Sequence, residues 1–198
     1  MLKHFTSCSS IKALATYSRK DDCRGLPLVN IHRELGKLLG YEIFNDLSVE
    51  DYMITHPKGQ RLGYRLSSDI KPAILAVMRA GLFTAEGIWE AIPQAGLILQ
   101  YPNQPISDPF LQSTNLAILA DSVINTGETI TSLIKSFREQ PHIKCIVASL
   151  VCYEETACKL SETYPNIDFY FSRISKNAYV GQGKSDTGAR LFNKIDLE

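Results

Sequence analysis

A chain of 198 residues with 44% hydrophobic and 21% charged side chains has the make-up of an ordinary globular protein, and one domain spanning 1–198 is expected. Lysine plus arginine equals aspartate plus glutamate at 21 each, so no global field draws the chain to nucleic acid or a membrane surface, and any anion must be held locally. The longest apolar run, from Pro72 to Phe83, is interrupted by Arg79 and falls short of the about 20 residues that a bilayer crossing needs.

The first twenty residues carry Lys3, Lys12, Arg19 and Lys20, several serines and no acid, a composition that organelle transit peptides share. Five cysteines, at 8, 23, 145, 152 and 158, form no CxxC pair and have no histidine at metal-ligand spacing, so reduced thiols and a cytoplasmic setting are expected. From Asn30 to Leu47, Ile31, Leu35, Leu38, Leu39 and Ile43 recur at three- and four-residue spacings, which predicts an amphipathic helix preceded by a Gly25-Leu26-Pro27 breaker. Between Thr55 and Ser68 the pattern fails around Pro57, Gly59 and Gly63, and irregular loop or edge strand is expected. From Pro72 the chain alternates: PAILAVM, AGLIL, NLAILA, IKCIVASLV and IDFYF read as buried strands, separated by helices or by the proline-rich stretch Pro102 to Pro109. Continuous apolar strands alternating with helices predict an α/β protein with a parallel sheet covered on both faces. After Ser172 no strong periodicity remains.

In such sheets ligands bind beyond the carboxyl ends of the strands, and the segment after NLAILA puts its polar residues there. Asp121 ends the apolar strand. Ser122, Val123 and Ile124 lead into the turn Asn125, Thr126, Gly127, Glu128 and Thr129, whose backbone amides and hydroxyls can converge on one phosphate at a helix start. Asp121 is suited to accept hydrogen bonds from sugar hydroxyls or to help hold a hydrated divalent cation. The plain alternative is a strand-to-helix turn capped by Thr126 or Thr129. Neither a Walker loop nor a GxGxxG fingerprint is present.

The string of apolar strand, acid, and threonine-glycine four residues later resembles the phosphoribosyltransferase signature, and Asp121 followed by Ser122 is closest to the uracil branch, where proline replaces the second acid. Three further segments are similar in the same order. Ala76-Val77-Met78-Arg79-Ala80-Gly81-Leu82 resembles the strand and loop whose arginine reaches pyrophosphate in that family. Tyr179 to Phe192 matches without a gap the segment that reads the base, and Thr16 to Arg19 with His32 to Leu47 aligns near the N-terminus.

The resemblance to uracil phosphoribosyltransferases implies the type I phosphoribosyltransferase fold, a central parallel sheet flanked by helices with a small hood formed by the N- and C-terminal segments. It implies transfer of the 5-phosphoribosyl group from phosphoribosyl pyrophosphate to uracil, giving UMP and pyrophosphate, with Mg2+ accompanying the donor. Arg79, Asp121 and Asp186 would be catalytic, and the donor would contact these together with residues 122 to 129. The base would meet Tyr179, Val180, Ser185, Asp186 and Thr187. A homo-oligomer, most simply a dimer, is expected, with no nucleic-acid or membrane partner.

The sequence departs from the family in two places. No arginine or lysine lies between Arg79 and Lys135, so the arm that usually supplies a second pyrophosphate cation is shortened, and magnesium, Arg19 or Lys184 is expected to supply that charge. In the base segment Gln182, Ser185 and Ala189 replace a proline, a glycine and an aspartate. These departures leave open a nucleotide-binding protein without catalysis, or transfer to another base.

Overall fold

The computed structural model describes residues 1–102, 104–106, 109–137, 140–178, 181–182 and 185–194. Strand β1 (Leu2–His4) and helix α1 (Ser9–Ser18) precede the long helix α2 (Leu26–Asn45). A hairpin of β2 (Val49–His56) and β3 (Gly59–Leu66) follows, then β4 (Pro72–Val77), α3 (Gly81–Ala91) and β5 (Gly96–Gln100). The second half runs β6 (Leu116–Ile124), α4 (Glu128–Ser136), β7 (Lys144–Tyr153), α5 (Glu154–Thr163), β8 (Asp168–Ser175) and the short α6 (Thr187–Leu191).

Six strands form one sheet in the order β1-β8-β7-β6-β4-β5, and every pairing is parallel. The period-two alternation of strand side chains divides the core into two layers. Ala73, Leu75 and Val77 of β4 face the layer that holds Ile130 and Leu133 of α4 and Leu160 of α5. Ile74 and Ala76 face the layer that holds Leu35, Leu39 and Ile43 of α2 and Ile88 of α3. Both faces of β4 and β6 are therefore sealed, which is why their sequences are apolar throughout rather than alternating.

Three details differ from the sequence expectation. Helix α2 begins at Leu26 with Pro27 in its first turn, because proline lacks only an amide hydrogen that has no partner there; Pro27 starts the helix rather than breaking it. Residues 49–66 form an antiparallel hairpin, closed by Pro57 and Lys58 between paired His56 and Gly59. Its strands are mostly exposed, so no buried face imposed an alternation that could be read. Strand β6 runs on past Asp121 to Ile124 rather than ending at the acid, because Val123 and Ile124 still pair with Val151 and Cys152 of β7. The N-terminal residues are part of the fold, Leu2–His4 pairing with Phe169–Phe171 of β8.

Candidate active site

The crossover after β4 runs to β5 on one side, whereas β6 leads to β7 on the other, so the strand order reverses between β4 and β6. A crevice opens at the carboxyl ends of strands at such a point. Arg79 follows β4, and Gly81 opens α3. A Cβ at Gly81 would lie 2.4 Å from the Ala120 carbonyl oxygen and 3.1 Å from Asp121 Cα, so only glycine lets this turn press against β6. The Met78–Arg79 peptide bond within it is cis.

A cavity of about 210 Å³ results, lined by Arg79, Asp121, Thr129, Asp186 and Gly188 among others. Asp186 caps α6, its Oδ1 accepting the Ala189 backbone N–H at 2.6 Å. The Cβ that Gly188 lacks would lie 3.2 Å from that Oδ1 and 3.7 Å from Arg79 Nη2, so carboxylate and guanidinium flank one small opening. Arg79 is exposed, and no ion pair engages it among the described residues.

Asp121 sits deeper. Burial pushes its carboxyl up to about 7, while the backbone N–H groups of Ser122, at 2.7 Å, and Val123 pull the other way. Such a group is unsaturated with donors and suited to accept hydrogen bonds from hydroxyls that enter the cavity.

The turn from β6 into α4 leads directly into a helix start. Gly127 has φ +77° and caps the helix in the left-handed region, and Thr126 Oγ1 accepts the Glu128 N–H at 3.4 Å. Thr156 at the start of α5 donates its hydroxyl to the Asn125 carbonyl and so ties the turn to the next element. A Cβ at Gly127 would lie 2.9 Å from Thr156 Cγ2. Gly127→Ala is therefore expected to cost about 1–2 kcal/mol in urea unfolding, because strain and clash fall on the same backbone.

A second cavity, of about 440 Å³, adjoins the first. Its walls include Arg19, His32, Ser122, Arg173, Ser185 and Thr187. Ser122 Oγ lies 2.7 Å from the Ala80 carbonyl, which can only accept, so the serine's single proton goes there. His32 Nδ1 and Thr84 Oγ1, each 3.0 Å from Ser122 Oγ, must then be donors. Burial lowers the His32 pKa to about 4, with Arg190 adding to the effect, so the ring is neutral and Nε2 is an acceptor.

Arg190 forms the roof. Its Nη2 donates to the carbonyls of Ser18, Lys20 and Cys23 at 3.0, 2.8 and 2.8 Å, and the Gly25 N–H returns to the Arg190 carbonyl at 2.8 Å. The terminal segments are joined into a hood by these bonds. Arg190→Ala is expected to destabilise the protein by about 2–3 kcal/mol, since three carbonyls lose a charged donor; Arg190→Lys should restore only part of this, and thermal unfolding measures both.

Of the residues expected from sequence, Arg79, Asp121, Thr129 and Asp186 meet at the smaller cavity, and Ser122, Val123, Ser185 and Thr187 at the larger. Asn125, Thr126, Gly127 and Glu128 form the turn beside them, and Ile124 is buried in the core. Arg19 borders the larger cavity rather than the smaller, so it does not replace the missing arm cation there. Tyr179, Val180 and Lys184 lie outside the described residues. His32 and Arg173 were not singled out as site residues; an arginine near the end of an apolar strand, the signal that marks Arg79, was available for Arg173. Among the described residues no three histidine, cysteine or acidic groups converge on a metal position, and no helix is long and apolar enough to cross a membrane.

Comparison with known proteins gives a consistent result. The profile of the family described as "Uracil phosphoribosyltransferase" matches residues 5–194. The uracil phosphoribosyltransferase of Enterococcus faecalis is 28% identical over 191 residues, covering 89% of this chain and 91% of that protein. That of Streptococcus equi subsp. zooepidemicus is 27% identical over 188 residues, covering 88% and 90%. Among solved structures, the AQ2163 protein of Aquifex aeolicus superposes with a TM-score of 0.80 at 18% identity, covering 97% of this chain and 98% of that one, a likeness of fold.

Proposed function

We propose that this chain, which belongs to the uracil phosphoribosyltransferase family and is a phosphoribosyltransferase enzyme, transfers the 5-phosphoribosyl group from phosphoribosyl pyrophosphate to a pyrimidine, with uracil as the reference acceptor. The observation that carries this reading is the seam between the two cavities. Asp121 lines one and Ser122 the other, while Asp186 lines the first and its neighbours Ser185 and Thr187 the second. A donor in the smaller cavity and a flat base in the larger would thus meet across consecutive residues of β6 and of the C-terminal segment.

In this reading the amides of residues 126 to 129 hold the 5-phosphate, where the helix start favours an anion. Asp121 accepts from the ribose hydroxyls and stabilises positive charge as the C–O bond to pyrophosphate lengthens. Arg79 takes the pyrophosphate oxygens through its forked donors. Ser185 and Thr187 present main-chain groups to the base edge, where an unmatched donor or acceptor is penalised. Among the described residues Asp121 and Asp186 are the acids at the smaller cavity, a donor set too sparse for a resident ion but compatible with magnesium that arrives on the donor. Bound there, magnesium would neutralise charge on the departing pyrophosphate.

The deciding measurement is pyrophosphate release from phosphoribosyl pyrophosphate and magnesium, with and without uracil. Uracil-dependent release is expected. Donor binding without release for any base would leave a nucleotide-binding protein on a transferase fold.

A further inference from the structure

The larger cavity holds more positive charge than reading a neutral base requires. Among the described residues three arginines, Arg19, Arg173 and Arg190, line it against one acid, Asp21. Arg190 is occupied by the three hood carbonyls. Arg19, exposed at the end of α1, spends Nε on the Ala15 carbonyl at 3.0 Å and reaches Thr16 Oγ1 with Nη2 at 3.4 Å. Arg173, on β8, is only partly exposed, and no hydrogen bond or ion pair engages it among the described residues. Asp21 lies exposed to solvent and forms no ion pair with either arginine among the described residues.

A guanidinium withdrawn from water without an acid partner is costly, and a second one nearby adds repulsion. Both effects act on Arg173: burial first and the charge of Arg19 second lower its pKa. An anion between the two would relieve both at once, and a carboxylate matches the planar fork of arginine. The same cavity is lined by neutral His32, whose Nδ1–H is fixed on Ser122, leaving Nε2 as an acceptor suited to a ring N–H.

We propose that the acceptor subsite is built for a pyrimidine bearing a ring carboxylate, held by Arg173 and Arg19, with His32 accepting from a ring N–H. This rests on the phosphoribosyl-transfer reading above and names the acceptor class that the site prefers. It makes Arg173 a specificity-determining residue, since it lines the larger cavity and not the smaller.

The test compares uracil, orotate and uracil-5-carboxylate, the last two placing the carboxylate at different ring positions, in pyrophosphate release by the full chain. One carboxylated base is expected to exceed uracil in kcat/KM by roughly tenfold or more, the worth of a charge-assisted bond pair. In Arg173→Gln the carboxylate-to-uracil ratio should fall by roughly tenfold or more, with partial return in Arg173→Lys. Arg19→Gln, altered at an exposed position, should lower the same ratio and serves as the second variant should Arg173→Gln fold poorly. Turnover of uracil with neither carboxylated base used nor inhibiting would overturn the inference while leaving the transferase reading intact. Were no base turned over, calorimetric binding of orotate to wild type and Arg173→Gln decides it: equal or absent binding overturns it, and binding lost in the variant supports it.

Discussion

Asp121→Asn is expected to produce a protein that is more stable than the wild type at pH 8, indistinguishable from it near pH 4, and inactive by roughly a hundredfold or more. The sign follows from the carboxyl's two environments. Its pKa rises from the ordinary 3.8 to about 7 in the folded chain, because burial opposes ionisation more than the Ser122 and Val123 amides favour it. Between those values the folded state keeps a proton that the unfolded state has lost, so wild-type stability declines as pH rises from about 4 to about 7. An asparagine retains an acceptor for the Ser122 N–H and removes the ionisation, hence the slope. The gain at pH 8 should be about 2–4 kcal/mol, or roughly 5–10 °C in Tm for a chain of this size. In the proposed mechanism activity is lost because a neutral amide cannot stabilise the developing positive charge on the sugar. Parallel pH slopes for variant and wild type would mean that Asp121 ionises freely in the folded protein. The ground-state cost would then be absent, and with it the account of Asp121 as a residue destabilised for function.

Donor binding is linked to the same group. Sugar hydroxyls and a chelated cation both favour the carboxylate, so binding near pH 6 should release a fraction of a proton, visible as a dependence of calorimetric heat on buffer.

The portion of this site that was legible in sequence is the portion encoded by neighbours in the chain. Arg79 stands out because a charge closes an apolar strand, and Asn125 to Thr129 stand out because a glycine among hydroxyls joins a strand to a helix. The turn of β2 and β3 carried its signals too, in Pro57 and Gly59, but its exposed strands gave no alternation to connect them. His32 was not legible, since it meets Ser122 across 90 positions and occupies an ordinary place on the buried face of α2. Arg190 was legible as a motif residue but not as a clamp, because three carbonyls from residues 18 to 23 converge on it only after α1 and α2 have packed. Arg173 carried the same signal as Arg79, an arginine near the end of an apolar strand, but its role needed the cavity, which brings Arg19 near and shows the lack of an acid partner among the described residues.

Arg79→Ala is expected to lower kcat/KM by roughly a hundredfold to ten-thousandfold, the largest loss of any single cation substitution in the protein. The argument is one of supply. In the proposed reading phosphoribosyl pyrophosphate brings several negative charges to the smaller cavity, where Asp121 and Asp186 already add to the burden and Arg79 is the only basic side chain among the described lining residues. The chain offers no other arginine or lysine between Arg79 and Lys135, so the connection from β5 to β6 cannot substitute. Magnesium shares the load, and its contribution separates the two roles of the arginine. If Arg79 chiefly neutralises charge, raising magnesium should recover part of the activity of Arg79→Ala, and Arg79→Lys should retain most of it. If the forked geometry matters, so that two oxygens of the leaving group are gripped as the bond breaks, Arg79→Lys should lose kcat with little change in donor KM and magnesium should not restore it. The second outcome is expected, because no ion pair engages Arg79 among the described residues and its whole fork is available to two oxygens of the leaving group. Wild-type rates in Arg79→Ala would instead assign the pyrophosphate to another part of the molecule.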